Sequence, residues 1–195
     1  DPLEYRLQLL GEENRDYEVP GMQAPKGHEM DLARIGNVIR RVSNLSEWNR
    51  ERGPGRGLGL AVHHSFRSYV AVVLDVTVDK NNYKVNEAFV VLDCGTFINP
   101  NTCIAQMEGA VVFGLSLAMI GEITLEQGRV VQGNFDDYPV LRIGDCPEIQ
   151  VELVESEELP AGVGEPGVPP VAPALVNAIY SASGKRVRKL PIDLA

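Results

Sequence analysis

The chain has 195 residues, 44% hydrophobic and 23% charged, with a formal net charge of −9. That length supports a sizeable core in one or two domains, and the composition excludes an intrinsically disordered chain. The negative balance argues against nucleic acid or an anionic membrane as the main partner. Cys94, Cys103 and Cys146 show no CxxC pairing, so neither a zinc site nor a disulfide framework is indicated, and their odd number leaves at least one unpaired. No stretch reads as long and apolar enough to span a bilayer, and no charged-then-apolar leader opens the chain. It begins at Asp1-Pro2 without a methionine, which suggests a processed or excised piece.

Asp1 and Pro2 suit an N-cap and a first helical position, and Leu3, Leu7 and Leu10 then predict a short helix. Residues 11–27 are polar, contain Pro20, Gly21 and Pro25, and read as a long surface loop. Across residues 29–48, Met30, Leu32, Ile35, Val38, Ile39, Val42 and Leu45 recur at helical spacing, predicting one amphipathic helix packed by one face. Gly53, Pro54, Gly55, Gly57 and Gly59 then break the chain. This run lacks the order of a phosphate-binding loop and no helix follows it, so it reads as a linker into a strand. The break divides the chain into an N-terminal helical segment and loop, residues 1–52, and an α+β portion, residues 53–195.

Residues 58–78 are rich in strand formers, Asp79-Lys80-Asn81-Asn82 is a turn, and residues 83–93 return as the partner strand of a hairpin with one covered face. His63 and His64 tempt a metal reading, but neighbours on a strand point to opposite faces and chelate poorly, so no metal site is expected. Asn99 or Asn101 caps a helix with Ile104, Met107, Val111, Leu115 and Ala118 on one stripe. Its small residues Ala105, Gly109, Ala110 and Gly114 suit the close approach of a ligand and of another backbone equally well. Two short strands follow at 122–125 and 129–132. The adjacent acids Asp136 and Asp137 diverge, and a cap or turn role is expected of them rather than acid/base work.

Residues 148–154 alternate polar and apolar, predicting a half-buried strand that leads into residues 162–170. There Gly162, Gly164 and Gly167 permit close approach while Pro166, Pro169 and Pro170 fix φ, so Glu165 is held in a segment with little freedom, just before a helix over 171–182. The same residues also suit an ordinary loop with a solvated glutamate. The basic run at 185–189 reads as a solvated edge, and 190–193 as a last strand. The pattern predicts an α+β fold, mixed β-sheets with helices packed on one face.

Six segments carry a further signal: Gly57-Leu58-Gly59-Leu60-Ala61-Val62-His63-His64-Ser65-Phe66, Asp93-Cys94-Gly95, Gln106-Met107-Glu108-Gly109-Ala110, Phe113-Gly114-Leu115-Ser116, Asn134-Phe135-Asp136-Asp137-Tyr138-Pro139 and Gly162-Val163-Gly164-Glu165-Pro166-Gly167. Their order resembles the molybdopterin-binding subunit of the xanthine oxidase and aldehyde oxidase family, in its isoquinoline 1-oxidoreductase branch. The resemblance covers the whole chain and implies the C-terminal part of a subunit several times longer. It implies oxidative hydroxylation of an N-heteroaromatic compound or an aldehyde, with oxygen from water, at a molybdenum centre held by a molybdopterin dinucleotide. Glu165 matches the family's general base. Gln106 matches a glutamine whose amide contacts the pterin, and Gly109, Gly162 and Gly164 fall in the same cofactor-binding stretches.

The molybdenum ligands belong to the cofactor in this family, so no protein ligand set is implied. Further implied partners are a small-molecule substrate, the remainder of the large subunit and a small iron–sulfur subunit that takes the electrons. The isolated 195 residues are expected to bind no cofactor, since other cofactor-binding segments are missing. Asp136 departs from the branch, where histidine is common. A competing reading is a non-catalytic α+β module that mediates subunit or partner interaction.

Overall fold

The computed structural model describes residues 1–11, 16–17 and 30–195. Helix α1 (Pro2–Leu10) opens as its cap dictates: the Asp1 carboxylate accepts from the Leu3 and Glu4 amides at 2.8 and 3.1 Å. Strand β1 (Asp16–Tyr17) pairs antiparallel with β2 (Met30–Asp31). Part of the expected 11–27 loop is therefore strand, and the rest of that expectation lies outside the described residues. Helix α2 (Leu32–Leu45) is shorter than its periodicity suggested, because Asp31 caps it by accepting from the Ala33 and Arg34 amides.

Strands β3 (Arg56–Ser65), β4 (Ser68–Asp79) and β5 (Asn82–Asp93) form an antiparallel meander. The strand-rich stretch 58–78 is thus two strands, joined by Phe66 and Arg67, both at positive φ of 52° and 66°. Those are the dihedral signs of a type I′ turn, made here without glycine or asparagine. The turn between β4 and β5 falls at Lys80-Asn81, as predicted. Helix α3 (Pro100–Met119) starts at Asn99, whose side chain accepts from the Thr102 amide. The short hairpin β6 (Leu125–Glu126) and β7 (Arg129–Val130) is smaller than expected. Strand β8 (Glu148–Leu153) joins β5 in parallel, giving the mixed order β3-β4-β5-β8. Helix α4 (Val171–Ser183) ends at Gly184 in the left-handed region.

The alternation of β4 settles the layers. Val70, Val72, Leu74 and Val76 pack with α3 and α4, whereas Tyr69, Ala71 and Val73 pack with α1 and α2. The mixed α+β sheet holds, but its helices lie on both faces and not on one; the predicted single covered face of the hairpin is corrected with it. The reason is that the stripe Ile35, Val38, Ile39 and Val42 must be buried, and the second sheet face buries it. Each fully buried Val, Ile or Leu stabilises by roughly 1.5–3 kcal/mol, so neither layer is dispensable.

Gly57 and Gly59 are not a linker but the contact between β3 and α4. A β-carbon on Gly59 would lie 2.1 Å from the Ala174 carbonyl oxygen and 2.2 Å from the Ala178 nitrogen. Helix α3 is, by length and composition, apolar enough to cross a bilayer, contrary to the sequence reading; Met107, Val111, Leu115 and Ala118 are instead buried in the core. Residues 190–193 form no strand. The Ile192 amide donates to the Ala118 carbonyl at 2.9 Å and docks this tail on the end of α3.

Candidate active site

The loop between β8 and α4 is stitched to the sheet before it reaches Glu165. The Thr96 amide donates to Glu158, the Ala161 amide to Cys94 and the Gly162 amide to Phe66, at 2.8, 2.9 and 3.0 Å, and the Ser68 hydroxyl donates to the Gly162 carbonyl at 2.6 Å. The loop then crosses α3. A β-carbon on Gly164 would approach Gln106 Nε2 at 3.8 Å, and one on Gly167 would meet Ala110 Cβ at 2.8 Å and Met107 Sδ at 3.0 Å. Val171 sits on Gly114 in the same way. Ala110 and Gly114 therefore serve close packing, whereas Gly109 is exposed, with nothing within 4 Å of its β-carbon position.

Past Gly164 the chain turns twice into α4, the Val168 amide donating to Glu165 and the Val171 amide to Val168. Pro166 and Gly167 are buried, while Gly162, Gly164 and Glu165 are exposed. Gln106 is exposed on the facing helix. The structure thus gathers Glu165, Gly164 and Gln106 into one strip, with Gly109 one turn along α3 and Gly162 at its anchored end.

His63, half-buried on β3, is the titratable neighbour of Glu165 that the sequence reading did not connect to it. Burial pushes the His63 pKa below its usual 6.5, and the Glu165 charge opposes that shift. His64 lies on the other side of the strand, stacked on Tyr69 with centroids 4.4 Å apart. Asp137 accepts from the Gly133 and Asn134 amides at 2.8 and 2.9 Å, which hold its carboxyl below the usual range and give it the turn role. Near the loop anchor, burial pushes the Cys94 thiol up to about 11, with Cys103 beside it contributing.

The strip is open. A cleft of about 880 Å³ is formed by the C-terminal tail and another of about 600 Å³ lies between Trp48, β3 and Tyr180, and neither includes Glu165 or Gln106. Within the strip the Gln106 amide and the Glu165 carboxylate hydrogen-bond to no described residue. An uncommitted amide, which offers both donor and acceptor, beside glycines that present bare backbone fits a flat ligand with a hydrogen-bonding edge. His63, Phe66 and Ser68 were missed because each comes to the strip only through the tertiary fold. The turn at Phe66-Arg67 carries no glycine, the one signal that would have marked it.

A family model described as the molybdopterin cofactor-binding domain matches residues 38–147. The isoquinoline 1-oxidoreductase subunit beta of Brevundimonas diminuta is 36% identical over 98% of this chain and 23% of its own length. The membrane-bound aldehyde dehydrogenase (pyrroloquinoline-quinone) of Gluconacetobacter polyoxogenes is 34% identical over 98% of this chain and 25% of its own. Among solved structures, the aldehyde oxidoreductase from Desulfovibrio desulfuricans superposes with a TM-score of 0.55 at 25% identity, over 64% of this chain and 14% of that one. The chain spans about a quarter of the length of these two curated relatives.

Proposed function

The chain belongs to the molybdopterin cofactor-binding domain family, and from that premise we propose that it is the part of a molybdenum hydroxylase subunit that carries the proton-accepting glutamate. The observation that supports this most is the meeting of Gly164 with Gln106, which sets Glu165 beside an uncommitted amide and exposed glycine backbone.

In this reading the side chain of Gln106 hydrogen-bonds the edge of a molybdopterin dinucleotide, and Gly109, Gly162 and Gly164 let the cofactor approach the backbone. When bound, the cofactor would supply the redox chemistry, taking up the hydrogen of a substrate C–H bond together with its two electrons as that carbon, in an N-heteroaromatic compound or an aldehyde, gains an oxygen from water. Glu165 takes the proton that the water-derived oxygen gives up, the role a carboxylate fixed at one end of a short loop can fill. A small iron–sulfur subunit would be the acceptor of those electrons. The open shape of the strip is consistent with walls contributed by the remainder of the large subunit. So are the exposed side chains of Ile98, Phe135 and Ile143, at 96%, 82% and 95% exposure.

These exposed side chains equally suit a non-catalytic module that docks a partner, and the name of the Gluconacetobacter relative carries a different cofactor, pyrroloquinoline quinone. Cofactor analysis of the full-length protein separates the three. Molybdenum with a pterin dinucleotide supports the hydroxylase reading, quinone replaces the cofactor, and neither leaves the docking module. In molybdenum-loaded enzyme, Glu165→Gln is expected to keep the metal and to slow turnover by at least ~10²-fold, since the amide keeps the shape and cannot accept the proton. Wild-type turnover at full metal occupancy removes the role of Glu165.

A further inference from the structure

We propose that Ser68 is a positioning residue for Glu165. The inference rests on the reading of Glu165 given above. Ser68 begins β4 directly after the Phe66-Arg67 turn, has no solvent exposure, and donates its hydroxyl to the Gly162 carbonyl at 2.6 Å.

Glu165 lies between two anchors of its loop. On the far side Pro166 and Gly167 are buried, with Gly167 seated on Ala110 and Met107 of α3. On the near side Gly162 is held by the Phe66 carbonyl and by Ser68. Between them stand Val163, half-buried against the core, and Gly164, whose β-carbon position has only Gln106 Nε2 near it, so the span is restrained by its two anchors and by the Val163 side chain. Of the bonds on Gly162, the one from Ser68 is made by a side chain and can be removed without changing the backbone. Deleting the hydroxyl leaves the Gly162 carbonyl short of its partner and frees the near end of the span.

The geometry that delivers Ser68 to this place is itself unusual. Phe66 and Arg67 both occupy the left-handed region, which costs non-glycine residues energy and persists where the surroundings over-determine it. Phe66 also packs on Gly162, where a β-carbon would lie 2.8 Å from Phe66 Cβ. The turn and the glycine are fitted to each other, and Ser68 fastens them.

The test is a double-mutant cycle in the full-length, metal-loaded enzyme, comparing Ser68→Ala, Glu165→Gln and the double variant. Ser68→Ala is expected to retain molybdenum and lower kcat roughly tenfold, because displacing a reacting group by a fraction of an ångström is enough for that. In the Glu165→Gln background the same substitution should lower kcat no further, since a residue acting only through Glu165 has nothing left to position. Hydrogen exchange of the segment 162–168 should rise in Ser68→Ala independently of turnover. If Ser68→Ala does not accumulate folded, Ser68→Cys, of similar size and a weaker donor, takes its place in the same cycle. Losses that multiply in the double variant, or a Ser68→Ala enzyme with wild-type kcat while Glu165→Gln is slow, overturn the role of Ser68 and leave that of Glu165 standing. A Glu165→Gln enzyme that turns over normally overturns both.

Discussion

Gln106 and Gly164 meet across the surface of α3, with the Gln106 amide nitrogen 3.8 Å from the place where a β-carbon on Gly164 would stand. Two motifs far apart in the chain become one strip by this contact. It depends on the packing below, where Gly167 rests on Ala110 and Val171 on Gly114. Side chains larger than these would lift the loop off the helix and part the amide from the glutamate.

The glycines predict opposite outcomes. Gly59→Ala sets a methyl against the backbone of α4, which cannot give way as a flexible side chain can, and should destabilise by roughly 3 kcal/mol or more. Gly109→Ala meets open space and should leave stability equal or raise it by up to about 1 kcal/mol through helix propensity. In the full-length protein the same Gly109→Ala should weaken cofactor retention. Urea denaturation of both variants, with metal content of the second, checks the pair.

Asp75 is a buried hub. Its carboxylate accepts from Arg56 at 2.7 Å, Asn86 at 2.9 Å and Arg52 at 3.1 Å, while Arg52 also donates to the Ser46 and Glu47 carbonyls after α2. Burial opposes ionisation of Asp75, but these bonds outweigh it and hold the carboxyl below the usual 3.8. A carboxyl with a lowered folded pKa contributes stability that is present above 3.8 and is lost as pH falls through the folded value. Asp75→Ala should therefore cost about 3–5 kcal/mol near neutral pH by stranding Arg52, and the difference from wild type should shrink in acid. Unfolding midpoints across the acid range measure both.

His63 reports the charge on Glu165. Its pKa is lowered by burial and raised by that carboxylate, so Glu165→Gln should move the imidazole pKa further down. Because the folded pKa already lies below 6.5, protonating His63 also costs stability as pH falls from 6.5 through the folded value. Titrating the imidazole by NMR in wild type and variant settles it: no change, or a rise, means the two side chains do not interact.

Thiol labelling should follow burial. Cys146 is half-exposed, whereas Cys94 and Cys103 are buried and the Cys94 thiol is pushed up to about 11. At mildly alkaline pH the native protein should react with an aromatic disulfide at Cys146 first, and at Cys94 and Cys103 only after denaturation. Fast labelling of Cys94 in the native state would mean that the β5–α3 junction opens.

Much of this molecule is local and therefore legible along the chain. Asp1 and Asn99 cap their helices because a short side-chain oxygen reaches the first free amides, and Lys80-Asn81 turns because it separates two runs of strand formers. Helix α4 and strand β8 also follow from spacing. The order of the motifs suggests the family and marks Gln106, Gly109, Gly162, Gly164 and Glu165 as candidate site residues.

Tertiary structure decided the rest, since spacing specifies which face of an element is apolar and not what covers it. That α2 lies across the sheet from α4 depends on the alternation of β4, which reads as one continuous apolar run because both its faces are buried. The glycines of β3 look like a flexible linker until the α4 backbone is set against them. Ser68 and Phe66 join the candidate site through contacts closed over long stretches of chain, and no local pattern encodes a hydrogen bond between residues 68 and 162. The sequence by itself determined which residue types stand in each motif; the fold decided which of them stand together, because proximity across a sheet and a helix is a property of packing and leaves no period in the chain.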